Sequence, residues 1–130
     1  MARLHVLAVS ARLPAWAETA CAEYAKRMPR GYAVARIAAK NANRLPRGRL
    51  VVLDERGKDL TTVQFADLLK AETVFVIGGA DGLDRKVKSE ADFLLRLSSL
   101  TLPHALAQVV LLEQLYRAAT LLVGHPYHRE

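Results

Sequence analysis

The chain has 130 residues and a mass of 14.3 kDa, is 52% hydrophobic and 25% charged, and carries seven Gly and five Pro. That is the size and balance of one ordinary domain and excludes disordered, fibrous and low-complexity classes. No apolar run approaches the roughly 18 residues needed to cross a bilayer, the first one is shorter than the roughly 7 to 15 of a signal-peptide core, and the lone Cys21 allows neither an internal disulfide nor a cysteine-based zinc cluster. A single domain over residues 1–130, cytoplasmic and away from membranes, is the expectation.

In chain order, Leu4 to Val9 is a short apolar run that suits a buried strand. From Pro14 to Met28, Trp16, Ala20, Tyr24 and Met28 recur every four residues, which predicts a helix that puts Trp16 in the core and ends at Pro29. Tyr32 to Ile37 alternates as a strand does, Ala38 to Arg49 is read as a loop, and Leu50 to Leu53 is a valine-rich strand. Thr61 or Thr62 caps a helix through Lys70, and Thr73 to Ile77 is a β-branched strand running into Gly78 and Gly79. A short helix over Asp84 to Glu90, a strand over Phe93 to Leu97 and a long helix over Pro103 to Leu122, stopped by Gly124, complete the chain. Strands that are continuous apolar runs, alternating with helices, predict an α/β fold with a mainly parallel sheet covered on both faces.

Charge is distributed unevenly. Residues 1–53 hold ten Lys or Arg against Glu18 and Glu23, a net +8, whereas residues 54–130 hold nine bases against eleven acids. Between Tyr24 and Leu53 no acid interrupts Lys26, Arg27, Arg30, Arg36, Lys40, Arg44, Arg47 and Arg49. Such a stretch is the electrostatic footprint of a phosphate-backbone binder, or a solvated basic face.

Three segments carry chemistry. VIGGADGL places a glycine pair directly after a strand, where ligands bind in open α/β sheets, although it lacks the spacing of a dinucleotide site and the lysine of a P-loop. LSSLTLPH forms a strand-to-helix junction whose alternation can wall a flat ring. The tail HPYHRE gathers two His, a Tyr and an Arg, suited to phosphate contact and base stacking. Two imidazoles without a cysteine partner do not make a zinc site, so no metal is expected. His5, inside a strand, reads as a hydrogen-bonded core residue.

LDERGK (53–58), VIGGADGL (76–83) and the run from LSSLTLPH to the end, with LHVLAVSARLPAWAE near the start, resemble the ribosomal RNA large subunit methyltransferase H family of the SPOUT superfamily. The resemblance implies a C-terminal trefoil knot, a homodimer, and S-adenosyl-L-methionine held in a bent shape by the knotted loops. It implies methylation of N3 of a pseudouridine, position 1915, in a hairpin loop of 23S rRNA within the assembled ribosome. By motif, Leu53, Gly78, Leu97, Ser98, Ser99, Leu100, Thr101 and Leu102 are implied to surround the cofactor. His104, Tyr127, His128 and Arg129 are implied on the substrate side, with His104 or His128 as proton acceptor because imidazole titrates near neutral pH. In such dimers the tail acts on the partner's site.

This chain departs from the family in one place. Members usually carry a longer segment, including a helix, where only Ala38 to Arg49 joins the second strand to LDERGK. The shortening lies in the basic half, so it bears on RNA docking more than on methyl transfer. A noncatalytic RNA-binding or ribosome-assembly protein that retains the fold, or a methyltransferase acting on another RNA, are the alternatives.

Overall fold

A computed structural model describes residues 2–9, 12–79 and 81–129. The elements are β1 (Ala2–Val9), α1 (Ala15–Lys26), β2 (Tyr32–Ala39), β3 (Arg49–Asp59), α2 (Thr62–Ala66) continued by a 3-10 turn (Asp67–Lys70), β4 (Thr73–Gly78), α3 (Arg85–Ser89), β5 (Phe93–Arg96) and α4 (His104–Leu122). The strands form one sheet in the order β2-β1-β4-β3-β5, and all four neighbouring pairs are parallel. Every strand therefore ends at the same edge of the sheet.

Alternate residues of a strand face opposite ways, and the two faces are covered unequally. Leu4, Val6 and Ala8 of β1, with Val51, Phe75 and Ile77, pack under α1, α2 and α4, where Cys21, Phe65, Leu111, Leu112 and Leu115 close the larger core. Leu7 and Val9, with Val52, Val74 and Val76, face the smaller one, covered by Val87 of α3 and by Ala42 and Leu45 of the segment after β2. That segment crosses the second face, so a short irregular stretch does there what a helix would do.

Local chemistry accounts for the helix boundaries. Thr61 accepts a hydrogen bond from the Gln64 backbone while the Gln64 side chain accepts one from the Thr61 N–H, a capping box that starts α2. Gly124, at φ +79°, ends α4 with its N–H donating to Leu121 and that of His125 donating to Thr120, a Schellman stop of the kind Gly favours. Pro14 and Pro103 sit at the N-caps, one position before the first helical residue.

Three expectations are corrected. The buried stripe of α1 runs through Ala17 and Cys21, not Trp16, which is 57% exposed. The fourfold repeat is real, but the small residues one position along the helix are the ones that let it approach the sheet. His5 is half-buried, and its Nδ1 is enclosed without a hydrogen-bond partner among the described residues. Finally, β3 does not stop at Leu53. It leaves β5 after Leu53 pairs with Leu95, bulges through residues 54–57, and returns with Lys58 opposite the same Leu95.

Gly57 makes that return possible. A Cβ there would lie 2.7 Å from the carbonyl carbon and oxygen of Leu94, a clash that only backbone movement relieves. Gly57→Ala is expected to destabilise the fold by about 1–3 kcal/mol, the usual cost of overpacking, and to lower the urea unfolding midpoint. An unchanged midpoint would show that the bulge has room to give.

Candidate active site

The carboxyl ends of parallel strands are where loop amides and side chains converge on a ligand. Here the bulge of β3 and the ends of β4 and β5 frame a cavity of about 540 Å³, within the range of small-molecule sites. Leu53 and the bulge residues Asp54 and Glu55 form one wall, Gly78, Gly79, Asp81, Gly82 and Leu83 a second, and Arg96 to Ser98 with Leu100 to His104 the third. Ile77, Leu95 and Ala107 add apolar surface from β4, β5 and α4.

The glycine turn is tight for a physical reason. Gly82 adopts φ +75° and donates its N–H to the Gly79 carbonyl at 3.0 Å. Gly78 faces that turn, and a Cβ on it would meet the Gly82 carbonyl carbon at 2.9 Å and the Leu83 side chain at 3.0 Å. Across the cavity, the Leu100 N–H donates to Ser98 Oγ at 2.9 Å and bends the β5–α4 junction.

Seven of the eight residues expected around the cofactor are in the wall: Leu53, Gly78, Leu97, Ser98, Leu100, Thr101 and Leu102. Ser99 is exposed and lies outside it. Of the four residues expected on the substrate side, only His104, in the first turn of α4, lines the cavity. Tyr127, His128 and Arg129 follow the opposite end of α4, a helix of 19 residues and so about 28 Å long. Glu130 lies outside the described residues.

The tail is docked on the helix it follows. Tyr127 donates its hydroxyl to Glu113 at 2.8 Å, packs edge-on against Tyr116 with centroids 4.7 Å apart, and lies under the Arg117 guanidinium, itself 4.7 Å from the ring centre. Arg117 also pairs with Glu113 and approaches His128 Nδ1 at 3.3 Å. Burial, with the hydrogen bond to Glu113, pushes the Tyr127 phenol up to about 12. At neutral pH it is a proton donor, not a base.

Charged groups that the sequence reading did not single out also line the cavity. Asp54 is almost enclosed, with Lys88 Nζ 3.5 Å away, and Arg96 forms a two-pronged pair with Asp59. Asp54 had a readable signal, as the first polar residue after the apolar run of β3. Lys88 had none, because its approach depends on how α3 folds back.

The acid-free basic stretch does not form one surface. Arg30 precedes β2 and Arg49 begins β3, so both stand at the amino-terminal edge of the sheet, away from the cavity, and Lys26 ends α1, from which Met28 to Gly31 lead into β2. Lys40 follows Ala39, which is in register with Val9 and, through it, with Gly78 at the cavity edge. Arg27 and Arg36 are held by Glu23 and Glu18. Chain reversal between strand ends divides the cations.

A family model described as a predicted SPOUT methyltransferase matches residues 2–128. The chain belongs to the SPOUT methyltransferase family. Among its relatives, the ribosomal RNA large subunit methyltransferase H of Polynucleobacter asymbioticus is 47% identical over 146 residues, and that of Laribacter hongkongensis 45% over 155. The protein of the same name from Polynucleobacter necessarius is 49% identical over 135. Each alignment covers 98% of this chain and 99% of the relative. The longer alignments exceed this chain's 130 residues, so those relatives carry segments it lacks, whereas the last nearly matches its length. A putative RNA methyltransferase structure from Bacillus anthracis is similar in fold, with TM-score 0.60, 15% identity and 98% of both chains covered. The SpoU methyltransferase AviRb of Streptomyces viridochromogenes, in complex with AdoMet, has TM-score 0.56 at 17% identity, covering 93% of this chain and 58% of its own. This SPOUT methyltransferase has no helix, among the described residues, long and apolar enough to cross a membrane.

The tail gives a titration test. The folded phenol lies above its ordinary value of 10.0, so its protonated form is the one that docking favours. That contribution is complete below pH 10 and is lost as pH rises through about 12. A titration that follows Tyr127, read as the difference between wild type and Tyr127→Phe, should find it ionising above 10.0, and Glu113→Ala should move it back toward that value. Ionisation of Tyr127 at its ordinary value would contradict the docked tail.

Proposed function

We propose that this SPOUT methyltransferase transfers the methyl group of S-adenosyl-L-methionine to N3 of a pseudouridine in a hairpin loop of 23S rRNA, within the assembled ribosome, as a cytoplasmic homodimer. The observation that carries this reading is the cavity itself, lined by residues of LDERGK, VIGGADGL and LSSLTLPH that the β3 bulge and the ends of β4 and β5 bring together. The names of the relatives, at 45–49% identity over nearly the whole chain, support the rRNA substrate.

The residues present fit the cofactor. Ile77, Leu95, Leu97 and Leu102 offer an apolar slot for adenine, the Gly78 and Gly82 backbones admit close approach, and Asp54 and Glu55 offer carboxylates to hydroxyl and ammonium groups. The bound cofactor supplies a methyl group already activated by its sulfonium charge. The protein's task is then alignment, since holding reactants in near-attack geometry contributes roughly 7 to 11 kcal/mol. A uracil-type N3 must lose its proton to attack, and His104 is the imidazole that lines this cavity.

In this reading the site is completed by a second protomer. Tyr127, His128 and Arg129 stand a helix length from their own cavity, so in this reading they serve the partner's: Tyr127 stacks or donates, Arg129 holds phosphate, and His128 shares the proton-accepting role. Leu100 and Leu106, 76% and 37% exposed beside the cavity, are apolar surface that a second copy covers. The knotted threading of the family belongs to the same reading.

Ribosomes lacking the modification are expected to accept labelled methyl on pseudouridine N3, located by mass mapping, while free 23S rRNA is not. No transfer to either, with cofactor binding intact, would transfer the reading to another RNA or to a noncatalytic role. Gly78→Ala, whose Cβ forces the turn outward, should weaken cofactor binding by an order of magnitude or more, measured by calorimetry. Equal affinity would remove the glycine turn from the site.

A further inference from the structure

A second cavity, of about 170 Å³, opens at the same sheet edge beside the first. It lies at the ends of β1 and β2, where Val9, Lys40, Asn41 and Ala42 meet Asp84 and Val87, and it shares Gly82 and Leu83 with the cofactor cavity. The two are thus separated by a single turn of chain. Lys40 follows a strand two places from β4, so about 10 Å of sheet lies between that strand and the glycine turn.

The chemistry of this cavity differs from that of its neighbour. It is too small for a nucleoside cofactor and has room for one heteroaromatic ring. Asn41 Oδ1 accepts the Asn43 N–H at 3.0 Å, which orders the residue and leaves its amide NH₂ as the donor end. Asp84 stands at the N-cap of α3 without making a side-chain cap bond, so its carboxylate remains an acceptor. Lys40 adds positive charge, and Val9, Ala42 and Val87 add an apolar floor. A donor, an acceptor and a cation around an apolar slot are what an unstacked base and its phosphate require.

We propose that this second cavity binds a nucleotide of the RNA loop adjacent to the one methylated, with Asn41 and Asp84 on its base edge and Lys40 at its phosphate. The inference rests on the proposed RNA substrate and gives it a docking point. It also accounts for how a chain shortened after β2 can still engage RNA: the turn through Lys40 and Asn41 is brought onto the cavity edge, while Arg30 and Arg49 remain at the other end of the sheet.

The test compares wild type with Asn41→Asp, Asp84→Ala and the double variant, using ribosomes lacking the modification. Asn41→Asp keeps the oxygen that orders the turn and removes the donor, so a loss cannot be put down to an unfolded loop. Co-sedimentation with ribosomes and KM for ribosomes should each worsen roughly tenfold in the double variant, with kcat and cofactor affinity within twofold of wild type. Arg49→Ala, which removes a charge at the far edge, should leave KM unchanged. Variants that sediment and turn over like wild type would overturn the proposal, as would loss of cofactor affinity, which would make the cavity part of the cofactor site. If wild type sediments with ribosomes but transfers no methyl, the proposed function fails, and weaker sedimentation of the double variant still supports the cavity. If wild type does not sediment with ribosomes, the second cavity has no RNA to bind and the inference falls.

Discussion

The Gly57 backbone lies so close to the Leu94 carbonyl that no side chain fits between them, and the candidate active-site cavity depends on that approach. Because β3 bulges away after Leu53 and rejoins opposite Leu95, its residues 54 and 55 become wall instead of ladder, placing two carboxylates beside the ends of β4 and β5. A regular β3 would have carried those side chains alternately into the two cores. Bulges commonly serve to redirect side chains next to active sites, and here the glycine is what lets the strand return.

All-parallel pairing does the rest of the gathering. Since every strand runs the same way, every turn that follows a strand lies at one edge, and the turns after β4 and β5 close around the cavity together with the β3 bulge, while the ends of β1 and β2 hold the smaller one beside it. The same rule disperses what looks continuous in the chain. The basic stretch runs from the end of α1 through β2 to the start of β3 and therefore visits both edges of the sheet, so contiguity of charge in sequence does not become contiguity on the surface. Of that stretch, Lys40 is placed beyond the carboxyl end of β2, at the cavity side of the sheet, whereas Arg30 and Arg49 stand at the other edge.

The tail shows the limit of reading residues as a set. Family resemblance implies Tyr127, His128 and Arg129 in the same chemistry as His104, but the full length of α4 lies between them. Tyr127 is also committed to Glu113, Tyr116 and Arg117 on its own helix. These contacts give the tail a defined shape before any substrate arrives. The tail stands at one end of a helix and the cavity at the other, which is why the proposed site draws on a second copy of the chain.

Much was determined by the sequence alone. The strand and helix order, the parallel sheet, a helix cap at Thr61 or Thr62 and the Gly124 stop follow from local periodicity and capping chemistry, because each depends on neighbours within a few positions. The eight residues placed around the cofactor came from family resemblance, and seven of them line the cavity. Tertiary structure decided what depends on distant backbone: that Ala17 and not Trp16 meets the sheet, that β3 bulges and returns at Lys58, that Lys88 reaches Asp54, and that the basic residues part company. It also decided that, of the four residues expected on the substrate side, His104 lines the cavity and the other three do not. Sequence spacing records separation along the chain, whereas a helix about 28 Å long converts twenty residues of proximity in the chain into opposite ends of a molecule.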